Sequence, residues 1–281
     1  MRVGPVLQGA AGIAVLTVMD AIIKAVSARY AVMEVTFLRF GCGAMIAAAA
    51  LPVMRPGLPT RDTLVAHGGR AFITVGAATS FFFALSQLPL AEALVLSFLS
   101  PTFLAVFGLL ILGERVGGRI VVALAAGFAG TLVVVSDQID PAGGTRSLAG
   151  AAAALFSALC YALGQTLLRA RAQRDPLITI VLLQNLGPAV LLAPFAYTVW
   201  RMPTAADFGL FAAIGALGVS GHVLLTTAFA RAEAARLAPL DYTSLIWAVM
   251  LGYACFGEVP TLATVLGAAL IVGGALLTSR R

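Results

Sequence analysis

Asp20 and Lys24 stand four residues apart in an apolar run, a spacing that sets a carboxylate and an ammonium on one helix face. Ionisable groups in such a run face a partner or a polar cavity. The pair has two uses: sensing a substrate or proton, or neutralising itself while Lys24 stretches toward the interface. The mutual ion pair is the simpler expectation. Arg39 needs a carboxylate or several carbonyls, and Glu34 and Asp20 are the available acids. A structural role is expected for it. His222 and Thr226 share a face, and Gly218 and Gly221 just before them allow close helix approach. A midspan histidine can titrate near neutral pH or sit neutral against a neighbouring helix.

Tyr161 and Gln165 form another polar face, as do Ser97 and Ser100. Pro101 cannot donate to the carbonyl of Ser97, so the helix there is expected to kink and leave an acceptor at membrane depth. Pro239 frees the carbonyl of Ala235 in the same way. Freed backbone acceptors are tolerated inside protein or against a cavity. Tyr242 and Trp247 lie about 140° apart on a helix, so one lines a narrow cavity while the other packs. Of Phe81, Phe82 and Phe83, the last shares a face with Thr79 and is taken as cavity-facing. Glu114 and Glu258 follow glycines at helix ends and are expected to be structural, at opposite membrane faces. The expected substrate cavity therefore comprises Asp20, Lys24, Thr79, Phe83, Ser97, Ser100, Tyr161, Gln165, His222, Tyr242 and Trp247, with Arg39, Pro101, Glu114, Pro239 and Glu258 structural. The chemistry is binding, not bond-breaking. There is no phosphate loop, zinc-ligand cluster or nucleophile motif, and no cofactor or metal is expected. Cys42, Cys160 and Cys255 are scattered in apolar runs and lack disulfide or ligand spacing.

These residues must be held by membrane-spanning helices. Of 281 residues, 60% are hydrophobic and 11% charged, and the mean hydropathy is +1.00. That is too little polar surface to cover a soluble core, so lipid must supply the apolar solvent. The net charge of +6 has no basic stripe with interleaved aromatics, and nucleic-acid binding is unsupported. Ten spans are expected, near 5–26, 32–53, 71–88, 92–113, 118–136, 147–168, 177–199, 207–229, 235–256 and 260–279. The largest loop is expected from Pro52 to Arg70. With the N-terminus inside, thirteen arginines, Arg70 among them, fall at inner ends and loops against three outside, which places both termini in the cytoplasm.

An offset of 144 pairs Gly113-Glu114 with Gly257-Glu258, Ser100 with Ser244, Gly108 with Gly252 and Gly130 with Gly274. Five spans per half is an odd number, so the second half enters the membrane upside down. Inverted repeats are the architecture of secondary transporters, with the substrate site at the interface of the halves. The expected fold is an all-α membrane protein of ten helices, as two inverted five-helix repeats at 1–140 and 141–281.

The ordered motifs Phe37-Leu38-Arg39-Phe40, Leu88-Pro89-Leu90-Ala91-Glu92-Ala93, Ser97-Phe98-Leu99-Ser100-Pro101, Leu112-Gly113-Glu114-Arg115, Asp241-Tyr242-Thr243-Ser244 and Phe256-Gly257-Glu258-Val259-Pro260 resemble the EamA family of the drug/metabolite transporter superfamily. The resemblance runs over essentially the whole chain. It implies a ten-helix fold with both termini inside and movement of small metabolites, with amino-acid export foremost; the arginines at loop ends suggest a bacterial inner membrane, and a monomer is expected, with the bilayer and a small molecule as its partners. The alternative is proton-coupled efflux of other metabolites or drugs, with Asp20 or His222 titrating. An intramembrane enzyme would need a polar constellation at one interface, and none is visible in the sequence.

Overall fold

The structure is a computed structural model that describes residues 4–112, 118–136, 147–169, 175–229 and 243–279. All regular elements among the described residues are helices: α1 (Pro5–Ser27), α2 (Val32–Met54), α3 (Arg61–Gln87), α4 (Leu90–Ser97), α5 (Ser100–Leu112), α6 (Gly118–Ser136), α7 (Leu148–Arg169), α8 (Leu177–Thr198), α9 (Ala205–Phe229), α10 (Thr243–Phe256) and α11 (Leu262–Ser279). Six of them contain stretches long and apolar enough to cross a membrane, in α1, α2, α3, α7, α8 and α9; shorter apolar helices lie in α6, α10 and α11. Large apolar side chains such as Leu110, Val190 and Phe195 lie on the outside, as a lipid-facing belt requires.

Hydroxyl caps set several helix starts by satisfying donors that the first turn leaves unpaired. The Oγ of Thr60 accepts from Thr63 N, that of Thr204 from Asp207 N and that of Thr261 from Thr264 N, each at 3.2 Å. Thr60 and Thr204 stand at the offset of 144. The expected long loop at 52–70 is a correction. The α2 helix runs through Pro52 to Met54, Arg55 ends it in the left-handed region at φ 42°, and α3 already begins at Arg61. Arg70, assigned to that loop by its charge, is a buried residue in the tenth position of α3.

The expected fourth span is interrupted rather than kinked. Helix α4 ends at Ser97, Phe98 and Leu99 form a turn, and α5 restarts at Ser100. Pro101 thus falls in a first turn, where a missing N–H costs nothing.

Small residues bring the helices together, the packing available where lipid is as apolar as leucine. At the α6–α11 crossing a Cβ on Gly130 would lie 2.7 Å from the carbonyl oxygen of Gly267. At the α1–α9 crossing a Cβ on Gly12 would lie 3.1 Å from that of Gly221. A Cβ on Gly215 would meet Cys42 Cβ at 2.5 Å and Gly43 N at 3.0 Å, joining α9 to α2. A Cβ on Gly187 would meet Ala71 Cβ at 2.8 Å, joining α8 to α3. Positions 43 and 187, and 71 and 215, are again 144 apart. The largest fully buried side chains include Ile23, Leu85, Leu88, Leu90 and Phe211, where α1 and α3 finish and α4 and α9 begin.

Candidate functional site

That packed end carries an ion pair. Lys24 Nζ meets Glu258 Oε1 at 2.9 Å, and it also donates to the carbonyls of Leu85, at 3.1 Å, and Leu88. Glu258 Oε2 accepts from Leu90 N at 2.8 Å. Gly257, at φ 67°, makes the turn that aims Glu258 back, and Gly252 leaves room for it: a Cβ there would lie 3.1 Å from Oε2. One cation and one carboxylate thus join α1, the end of α3, the start of α4 and the turn after α10. The expected Asp20–Lys24 pair is corrected, because the lysine reaches past its own helix to the carboxylate of Glu258. The structural assignment of Glu258 is an expectation this geometry accommodates.

Two further links close the same end. Asp207 pairs with Arg29 at 2.8 Å and accepts from Tyr30 Oη and Thr204 Oγ1, each at 2.7 Å. The Asp207 hydrogen bond, foremost, with burial behind it, holds the Tyr30 phenol above its ordinary value. Fully buried Glu34 accepts from Arg201 N at 3.2 and 3.3 Å. At the opposite end Asp175 accepts from Thr63 Oγ1 at 2.8 Å and meets His67 Nε2 at 3.2 Å.

Deeper in the bundle, two consecutive amides of α8 each serve a different buried arginine. Asn185 Oδ1 accepts from Arg39 Nη1 at 3.2 Å, and Gln184 Oε1 accepts from Arg70 Nη2 at 3.0 Å. Asn185 also donates to Val181 O at 2.7 Å. Its side chain occupies the space a Cβ on Gly43 would need. Arg39 stacks 4.2 Å from the Phe40 ring centroid, and a Cβ on Gly218 would lie 3.2 Å from its Nη2. Asp20, buried on α1, lies within electrostatic reach of Arg39. His222 Nδ1 lies 2.7 Å from Gly218 O, and the ring is within electrostatic reach of both arginines. Arg70 also donates from Nε to Gly164 O at 3.2 Å and interacts with the Tyr161 phenol. Gln165 Nε2 donates to Tyr161 Oη at 3.0 Å.

The structure therefore brings Asp20, Arg39 and His222 into one neighbourhood and continues it through Arg70 to Tyr161 and Gln165. Thr79 donates to Val75 O at 2.6 Å and Ser97 to Ala93 O at 2.9 Å, so both hydroxyl protons are spent on their own helices. Ser100 is half-buried, while Phe83 and Trp247 are exposed. Glu114, Pro239 and Tyr242 lie outside the described residues, and Pro101 is described in its backbone alone. Sequence reasoning missed Arg70, Gln184 and Asn185. The signal for the amides was there, two adjacent polar residues inside an apolar run.

Residues 6–136 and 148–280 each match the EamA-like transporter family. The chain is 28% identical over 271 residues to the pseudopaline exporter CntI of Pseudomonas aeruginosa, covering 94% of this chain and 92% of that one. It is 32% identical over 240 residues to a riboflavin transporter of Rhizobium johnstonii, covering 82% and 73%. It is 25% identical over 260 residues to an S-adenosylmethionine uptake transporter of Rickettsia bellii, covering 92% and 87%. A crystal structure of 23% identity superposes with a TM-score of 0.68 over 99% of this chain and 98% of its own, a likeness of fold alone.

Proposed function

Because the chain belongs to the EamA-like transporter family and is a multi-pass membrane protein, we propose that it is a secondary transporter or facilitator that exports small metabolites, amino acids first among them, by alternating access between two inverted halves. The observation that carries this is the polar cluster inside the membrane. Arg39 of α2 and Arg70 of α3 are held by Asn185 and Gln184 of α8, Asp20 of α1 is within electrostatic reach of Arg39, and His222 of α9 is within reach of both arginines. Charged groups at that depth mark a substrate path more readily than a core. A zwitterion finds both signs of charge there.

The inverted halves, 1–140 and 141–281, are supported by contacts that recur at the offset of 144. The approach of Gly215 to α2 matches that of Ala71 to Gly187. Thr63, capped by Thr60, bonds Asp175, while Asp207, capped by Thr204, bonds Tyr30 in the corresponding loop. The arginine asymmetry also supports cytoplasmic termini: with Arg70 moved into a helix, twelve inner arginines still stand against three outer ones. In this reading the chain is a monomer of the bacterial inner membrane.

A second reading, proton-coupled efflux of other metabolites or drugs, is favoured by Asp20, which makes no hydrogen bond or close ion pair among the described residues. Uptake of a labelled amino-acid panel into empty proteoliposomes, with and without a pH gradient, tests both. Saturable uptake without a gradient is the expected result. Uptake only with a gradient selects proton coupling, and no uptake of any amino acid in either condition overturns the amino-acid assignment.

A further inference from the structure

Among the described residues Arg70 is a cation without a carboxylate partner. It is 8% exposed within α3, and among the described residues its acceptors are the Gly164 carbonyl and the Gln184 amide, with the Tyr161 phenol nearby. Arg39 differs, because Asp20 opposes it. Among the described residues the cluster thus holds two guanidiniums against one carboxylate. Neutral acceptors satisfy the geometry of a buried guanidinium but not its charge, and an uncompensated charge out of water is costly. Arg39 Nε adds a buried donor in the same cluster with no acceptor among the described residues.

Helix α7 supplies the access. Its exposed residues Ala152, Phe156 and Leu159 form one apolar stripe. At about 100° per residue, Tyr161 points roughly 140–180° away from them, yet it is 50% exposed. The apolar stripe suits lipid, and the face that carries Tyr161 is open as well. That second open face carries Tyr161 and Gln165 and, on its flank, the Gly164 carbonyl bonded to Arg70.

We propose that Arg70, with Tyr161 and Gln165 at its mouth, is the subsite that takes the carboxylate of the transported molecule. Among the described residues the unmatched charge is one, which suits a monoanionic carboxylate better than a phosphate carrying nearly two charges. A guanidinium fork receives a carboxylate through two parallel hydrogen bonds. This rests on the transporter reading and narrows it: the substrate bears a single carboxylate, and its amide is a poor ligand.

The test uses the purified full chain and matched pairs: L-leucine and L-leucinamide, L-phenylalanine and L-phenylalaninamide, benzoate and benzamide. Thermal stabilisation is titrated for the unaltered chain, Arg70→Gln, Arg70→Lys and Tyr161→Phe. At least one carboxylate should bind the unaltered chain roughly tenfold or more tighter than its amide, as charge-assisted bonds do. Arg70→Gln should bring that ratio to about one, Arg70→Lys should keep part of it, and Tyr161→Phe should reduce it while the protein stays folded. The site is overturned if no carboxylate binds, or if the preference survives Arg70→Gln. Should Arg70→Gln not fold, an unchanged ratio in both Arg70→Lys and Tyr161→Phe overturns it. Proteoliposome uptake separates the two claims. Arg70-dependent binding without transport of any small metabolite refutes the transporter reading alone, and transport without an Arg70-dependent preference refutes the subsite alone.

Discussion

Lys24→Met and Glu258→Gln test how the packed end of the bundle is held. The charges lie 2.9 Å apart, with side chains 13% and 19% exposed, so water screens them little. Breaking a fully buried pair costs about 3–5 kcal/mol, and an exposed pair contributes at most about 1 kcal/mol. Each residue here keeps other partners: the ammonium retains the carbonyls of Leu85 and Leu88, and the carboxylate retains Leu90 N. Partial exposure and those partners place each single variant near 2 kcal/mol, with a coupling of about 1–2 kcal/mol in the double-mutant cycle. At the offset of 144 Lys24 falls on Leu168, so the second half has no lysine at the matching position. Loss of the link should therefore open this end, and about 1.4 kcal/mol shifts the population tenfold. The reporter is Ala93→Cys, fully buried at the start of α4, in a chain whose Cys42, Cys160 and Cys255 are replaced. Membrane-impermeant maleimide should label it about tenfold faster with Glu258→Gln, in line with that shift. A coupling below about 0.5 kcal/mol, which is within the error of additivity, together with unchanged labelling would refute the reasoning.

Asn185→Leu removes the Oδ1 acceptor of Arg39 and strands the guanidinium; about 2–4 kcal/mol of stability should be lost, read by thermal unfolding in detergent. Gly130→Ala presses a methyl against the Gly267 carbonyl oxygen, which cannot rotate away, and should cost about 1–3 kcal/mol by the same readout. Asp207→Ala strips Tyr30, Thr204 and Arg29 of a shared acceptor; about 2–3 kcal/mol should be lost, with faster hydrogen exchange at the start of α9.

The helices were legible because hydropathy and loop charge report them directly. Proline at 5 and the hydroxyls at 147, 204 and 261 mark helix starts for reasons local to each residue, whereas the start of α3 after Thr60 was hidden by the charges from Arg61 to Arg70. Partnerships were less legible. Asp20 and Lys24 share a helix face, so local spacing pairs them, but the turn at Gly257 delivers a second carboxylate from 234 residues along the chain. Arg70 carried the opposite error. A charge beside a hydrophobic run looks like a loop end, and only the approach of α7 and α8 shows that it is buried. Asn185 and Gln184 gain meaning from the arginines of other helices, which no window of sequence contains.

Trans-stimulated exchange tests the central claim most directly. Proteoliposomes of the purified chain are loaded with an unlabelled amino acid, and entry of the same labelled compound is followed at rising outside concentration. The account predicts entry that saturates and is faster than into empty vesicles, because a loaded site returns more readily across the membrane. Linear, unsaturable entry indifferent to the internal pool would contradict alternating access between the two halves.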